Sequence, residues 1–211
     1  MHWPNERVLV IPRSLFDSLG AFEGLSTDTA RYLPAFLDPA NNHFLARDTA
    51  EEDPSYKQII PYAVFHCRDR FLHYVRGGKT GEKRLADKGS IGIGGHINSE
   101  DAEQASLEKS TYLTGVEREM KEELIIRSPY RQCVVALIND DNSPVGKVHI
   151  GVVHLFDLET EDVSSNEATI TSVEFLSRDE LNARRDRLET WSTICLDHFD
   201  QILAAAAQIG E

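Results

Sequence analysis

The chain has 211 residues, 41% hydrophobic and 27% charged, and carries a net charge of −13. That length allows one domain with an extension, or at most two small ones, and the composition is ordinary for a globular chain. The acidity opposes binding to a nucleic-acid polymer, which depends on Lys and Arg neutralising phosphates, and no apolar run is long enough to span a bilayer. Met1-His2-Trp3-Pro4-Asn5-Glu6 lacks a basic start followed by an apolar stretch, so no signal peptide is read there. Cys67, Cys133 and Cys195 are odd in number and widely spaced. They read as buried free thiols of a reducing compartment, and the expected location is the cytoplasm.

Taken in chain order, Arg7 to Ile11 reads as a short strand and Ser14 to Leu19 as a helical turn. Gly20 to Tyr56 is mixed, with Pro34, Pro39 and Pro54 as breakers and Asp48 to Asp53 as an acidic loop. Residues 1–57 are expected to form an N-terminal extension packing on a core domain of residues 58–211, as a cap or dimer element. Gln58 to Cys67 and Arg70 to Arg76 are apolar runs either side of Arg68-Asp69, which predicts a hairpin. After the flexible Gly77 to Gly81, a strand over Ser90 to Ile93 ends in Gly94-Gly95.

The next helix is predicted from Ser110 to Ile126, with Leu113, Val116, Met120 and Leu124 as its apolar stripe. Glu119, Glu122 and Glu123 stand at i, i+3 and i+4 on it, within about 100° of arc at 3.6 residues per turn. Three anions so close repel one another unless a cation sits among them. Hard divalent ions, Mg²⁺ above all, are held by such oxygens together with substrate phosphates. Arg131 to Ile138 and Val145 to Leu158 read as a second strand pair around Asn139 to Asn142, and Thr169 to Leu176 as a further strand. Leu188 to Ala207 reads as one closing helix. Strands on either side of several helices predict an α/β fold, an α/β/α sandwich around a mixed β-sheet.

Gly95, then Arg118-Glu119-Met120-Lys121-Glu122-Glu123 and Ile126, resemble the Nudix box, G-x5-E-x7-R-E-U-x-E-E-x-G-U with U aliphatic. The box's first glutamate falls on Asp101, a shorter acid, and its late glycine on Ile125, which is expected to extend the helix by a turn. Sixteen residues, Ala102 to Glu117, replace the usual seven, which reads as an insertion between turn and helix. The resemblance implies a Nudix-type sandwich that hydrolyses a nucleoside diphosphate linked to another group. It implies that Glu119, Glu122, Glu123 and the Gly95 carbonyl hold Mg²⁺, or Mn²⁺, and that one glutamate, Glu122 by preference, takes the proton of the attacking water. Family habit alone suggests a homodimer.

Arg118 reads as an orienter of a carboxylate, since it stands four residues before Glu122 and the two can pair along the helix. Arg76, Lys79, Lys83, Arg84 and Lys88 crowd the segment before the box, either to meet phosphate oxygens of a small phosphorylated substrate or as a solvated loop. His96 either points toward that substrate or packs. His149 and His154, five apart on a strand, face opposite sides and do not share a metal. Asp140 and Asp141 are either an extra acid or turn residues, and Tyr56, Tyr62 and Phe65 either stack on a base or fill the core. Two other functions on this fold compete: a non-catalytic sensor of nucleotide derivatives, and a prenyl-diphosphate isomerase. The isomerase needs a cysteine near the strand before the box, and none lies from Arg68 to Tyr130.

Overall fold

A computed structural model describes residues 3, 5–76, 88–105, 110–167 and 170–209. The described elements begin with β1 (Arg7–Pro12), α1 (Arg13–Ser18), β2 (Gly24–Ser26), α2 (Thr29–Phe36), β3 (His43–Ala46) and α3 (Arg47–Ala50). Next come β4 (Tyr56–Cys67), β5 (Arg70–Arg76), β6 (Gly89–Ser90), β7 (Gly92–Gly94), α4 (Ser99–Glu103) and α5 (Thr111–Glu123). The chain continues through β8 (Leu124–Ile126), β9 (Tyr130–Asn139), α6 (Pro144–Lys147), β10 (His149–Leu158), β11 (Val163–Ser165) and β12 (Ile170–Ser177). It closes with α7 (Arg178–Ala183), a 3₁₀ turn at Arg185–Arg187, α8 (Thr190–Asp197) and α9 (Phe199–Ile209). The fold is α/β, with helices and a mixed β-sheet.

Two compact units divide the chain: Met1–Pro61, Gly94–Glu119 and Ala136–Val152 form the first, Tyr62–Ile93, Met120–Val135 and Val153–Glu211 the second. In the first, β1 runs antiparallel to β3 and to the start of β4, with Val8 opposite Leu45 and Val10 opposite Gln58. β2 lies antiparallel to the end of β9. Phe16, Phe22, Tyr32 and Phe36 form an aromatic cluster with ring centroids 5.3 to 6.1 Å apart. Beside it the fully buried Lys57 donates to Asp141 and to the carbonyls of Gly146 and Lys147 at 3.0 to 3.1 Å. The ammonium is thereby paired as a buried charge must be. Asp140 accepts from Asn142 N–H and the Ser143 hydroxyl, so both aspartates serve the turn and its anchoring.

In the second unit β4 and β5 form the predicted hairpin, Cys67 opposite Arg70, and Arg68 takes the left-handed φ of 59° in the two-residue turn. β12 adds to β5, with Phe175 opposite Leu72, and β6 pairs with β5. The core gathers Phe65, Leu72, Tyr74, Ile93, Met120, Leu124, Phe156 and Phe175. Phe65 stacks on Phe156 at 4.7 Å, and Tyr62 is also buried, so these two aromatics are core residues and not base-stacking ones. Cys67 and Cys195 are buried, Cys133 is partly so, and all three are free thiols.

Several sequence expectations are corrected. The box helix ends at Glu123, and Leu124–Ile126 forms β8, antiparallel to β11, so Ile125 does not extend the helix. Asn166 explains the end: its backbone N–H donates to the Glu123 carbonyl at 2.9 Å and its side-chain amide to that of Lys121 at 2.8 Å. Carbonyls of the last turn are thus satisfied from outside, and the glycine is dispensable. Leu113 is not in the stripe; it is 43% exposed, and Tyr112 is buried instead. The buried seam of α5 is Tyr112, Val116 and Met120, along the i, i+4 row of the helix, and Leu124, the first residue of β8, is buried after it.

Val145 to Val148 is not strand. Ser143 caps α6 by accepting from Gly146 N–H, with Pro144 at the first helical position. The acidic loop is partly helical, as α3, and Pro34 lies inside α2 without breaking it, two residues from its end. The strand before the box is interrupted at Ile91, since Ser90 O–H turns inward to the Gly92 carbonyl. The closing helix is two helices, parted at His198, whose φ of −119° and ψ of 18° leave the helical region.

Two measurements probe this packing. Val116→Ala is expected to destabilise by about 2 kcal/mol and Leu113→Ala by less than about 0.5 kcal/mol in urea unfolding. His154 is buried with its Nδ1 at 2.8 Å from Gln132 Nε2, and burial pulls its pKa down to about 4. Its contribution to stability is complete above the unfolded value near 6.5 and is lost as pH falls toward 4. From pH 7 to pH 5 the wild type should therefore lose about 2 kcal/mol more than His154→Gln.

Candidate active site

The box turn is built in the first unit. Gly95 N–H donates to Pro61 O at 3.4 Å, Leu9 N–H donates to Ile97 O at 2.9 Å, and Val8 bridges Asn98. The turn is thus held by β4 on one side and by β1, from the N-terminal segment, on the other. Asp101 then closes the start of α4, its Oδ2 accepting from the Asn98 N–H at 2.7 Å while its own N–H donates to the Asn98 carbonyl at 3.0 Å.

Asp101 is fully buried, and Arg118 grips it with two bonds, Nε to Oδ1 at 2.8 Å and Nη2 to Oδ2 at 3.0 Å. The same guanidinium donates to Glu119 Oε1 at 2.9 Å and to the His96 carbonyl at 2.9 Å. Its pKa is raised, first by the hydrogen bonds to Asp101 and then by Glu119, against the effect of burial. The short acid reaches Arg118 because the facing helix position is Gly115. A methyl there would lie 2.6 Å from Ile97 Cδ1 and 2.7 Å from Asp101 Oδ2. A helical glycine costs about 1 kcal/mol relative to alanine; here it lets the aspartate lie against the helix and meet Arg118.

Arg118 fixes Glu119, and Glu119 leans over Gly95, where any side chain would collide with its carboxylate. Gly95 is buried, Glu119 partly buried, Glu122 exposed and Glu123 8% exposed, all three acids on the one continuous helix α5. Lys79, Lys83 and Arg84 lie outside the described residues, as does the Arg76 side chain; Lys88 is exposed.

His96 turns to a different group. Its Nε2 lies 3.9 Å from Glu51 Oε1, as does that of His149, and the two rings are 5.7 Å apart. Burial, with Arg47, His149 and Arg118 nearby, holds His96 well below the usual imidazole range, so it is neutral at pH 7. Glu51 and His149 were not singled out from sequence with His96, because the three are remote in the chain and no local spacing links them. His154 is buried and belongs to the second unit.

A glycine turn, a buried Asp–Arg pair and a helix carrying three acids on an α/β scaffold define a carboxylate-rich site suited to hard divalent ions. No protein-family model matches the chain. YmaB of Bacillus subtilis (strain 168) is 35% identical over 206 residues, 92% of this chain and 97% of its own. The crystal structure of Tm1382, a candidate Nudix hydrolase, is 30% identical with a TM-score of 0.76 over 92% of this chain and 98% of its own. DR0079 from Deinococcus radiodurans, at 13% identity and a TM-score of 0.52 over 74% of this chain and 90% of its own, shares the fold. The chain belongs to the Nudix hydrolase superfamily, enzymes that cleave phosphoanhydride bonds. No described helix is long and apolar enough to cross a membrane.

Asp101→Asn breaks a buried pair from one side, which costs about 3 kcal/mol or more. We expect that loss in denaturant unfolding together with reduced turnover, and Asp101→Glu to retain more of both.

Proposed function

We propose that the chain hydrolyses the diphosphate bond of a nucleoside diphosphate linked to another group, or of a related small phosphorylated metabolite, with Mg²⁺ or Mn²⁺ held by Glu119, Glu122, Glu123 and the Gly95 carbonyl. The observation that carries this reading is the seat of Glu119: its carboxylate sits against Gly95 and is fixed by Arg118, which Asp101 holds in turn. The donor set fits, being oxygen only and anionic, as Mg²⁺ and Mn²⁺ prefer. Such an ion, when bound, offsets charge on phosphate oxygens and acidifies a water.

The chain's own side chains do the rest. Arg118 keeps the Glu119 carboxylate in one orientation, which avoids reorganisation when charge develops. Glu122 is exposed on the same helix and is assigned the water proton as general base. Arg76, Lys79 and Arg84 are assigned to the substrate's phosphate oxygens, where guanidinium and ammonium groups make charge-assisted bonds.

The test is a panel of nucleoside triphosphates, nucleotide sugars, dinucleoside polyphosphates, dinucleotide cofactors and prenyl diphosphates, assayed with Mg²⁺ for phosphate or pyrophosphate release. One class should turn over, and Glu122→Gln should lower its kcat by about 10²–10⁴-fold, the usual range for a positioned acid or base. Unaltered turnover in Glu122→Gln would remove the general-base assignment. No turnover by the wild type, with nucleotide binding intact, would favour the sensor.

A further inference from the structure

Three remote segments of the first unit converge beside the box turn. Glu51 follows α3, His96 follows Gly95, and His149 opens β10. One ligand atom from each lies within 4.8 Å of the other two. His149 is 6% exposed, and the side chains of His96 and Glu51 are 14% and 16% exposed.

The hydrogen bonds around the group leave a definite chemical problem. His149 Nδ1 lies 2.7 Å from the Val145 carbonyl, which can only accept, so Nδ1 carries a proton. With Nδ1 carrying a proton, Nε2 is the ring nitrogen that can ligate an ion, and it is the atom that faces Glu51. His96 Nε2 is buried and makes no hydrogen bond within the described residues. Two nitrogens thus face one carboxylate oxygen, each at 3.9 Å, beyond the roughly 2.7–3.2 Å of an N–H···O bond. A proton does not close gaps of that size, whereas a cation at their centre does.

We propose that Glu51, His96 and His149 form a binding site for a first-row transition-metal dication of the Zn²⁺ class. Two imidazoles and a carboxylate suit such an ion and not Mg²⁺, which prefers oxygen. Metal–ligand bonds of about 2.0–2.1 Å at tetrahedral angles place ligand atoms roughly 3.4 Å apart. Small side-chain rotations bring the present spacing to that value. The bond from His149 to Val145 is the second contact that orients a metal-ligating histidine. The neighbouring cations are already engaged: Arg47 bonds Glu6 through Nη1 at 3.0 Å and sets its Nε 3.5 Å from Glu51 Oε1, so an ion would share that carboxylate with it, and Arg118 is bound to Asp101 and Glu119. Three protein ligands leave a fourth position open, and the bound ion clips the N-terminal segment to the box turn and to β10. The site differs in donor chemistry from the carboxylates of α5 and does not depend on the substrate assigned to them.

The test uses the full chain, stripped with chelator and kept in excess Mg²⁺ so that oxygen-only sites are occupied. Zn²⁺ binding is read by calorimetry, and Co²⁺ by its visible absorption. One equivalent of Zn²⁺ should bind over Mg²⁺, weakened roughly 100-fold or more in His149→Ala and in Glu51→Gln, since even outer-shell partners of a metal site are worth 10–100-fold. Glu122→Gln should leave it unchanged. X-ray absorption of the Zn²⁺-loaded wild type should show two imidazole ligands, a reading that does not depend on any variant folding. An all-oxygen shell overturns the proposal, as does the absence of a Zn²⁺ equivalent over Mg²⁺. So does a site that survives in folded His149→Ala or disappears in Glu122→Gln.

Discussion

The buried pair between Asp101 and Arg118 is the contact on which the box depends. Asp101 is fully buried and also caps α4, so without the guanidinium an unpaired carboxylate would remain in the interior, a severe penalty. Arginine is needed here and lysine would not serve. A planar fork of donors reaches both Asp101 oxygens, Glu119 and the His96 carbonyl at once, whereas an ammonium is a point charge with three donors. One side chain thereby joins the turn, α4 and α5. That is also why the chain can hold sixteen residues between Asp101 and Arg118 and keep the box: the constraint acts through space.

The N-terminal segment contributes to the same turn. β1 supplies the N–H of Leu9 to Ile97, pairs with β3 and β4, and leads to the helix that ends beside Glu51. Arg47 of that helix bonds Glu6 and lies 4.3 Å from the Trp3 ring centroid. These are interactions between positions some forty residues apart, and each restricts where the box turn can sit.

Local pattern made part of this readable. The hairpin at Arg68-Asp69, the strands at Arg7 and Ile170, and the helix carrying Glu119, Glu122 and Glu123 follow from apolar periodicity and turn chemistry. The errors arose where a distant residue decides the outcome. Asn166 ends α5, a task that sequence reading gave to a glycine that is absent. Gly115 carries no local signal of its role, because the clearance it gives Asp101 exists only in the folded chain. Leu113 and Tyr112 exchange places because the buried seam follows the i, i+4 row, and periodicity alone admits either row. Ser143-Pro144 was a legible helix start that the long apolar run after it obscured. Glu51 and His149 carried no local signal, since their relation to His96 exists only in the folded chain.

The placement of the acids runs against the helix that bears them. Glu119, Glu122 and Glu123 occupy the last turns of α5, the end where aligned peptide dipoles accumulate negative potential and carboxylates are disfavoured by about 0.3–1 kcal/mol each. Asn166 adds donors at that end through the Lys121 and Glu123 carbonyls, which relieves the backbone and leaves the side-chain charges close together. Arg118 donates to Glu119 while it holds Asp101. A chain of net charge −13 gains nothing in solubility by crowding three more anions at a helix's negative end. Local rules are broken in this way where function requires it. A divalent cation held by the three carboxylates, as proposed, would reverse the sign of the local field and turn a repulsive arrangement into one that attracts phosphate oxygens.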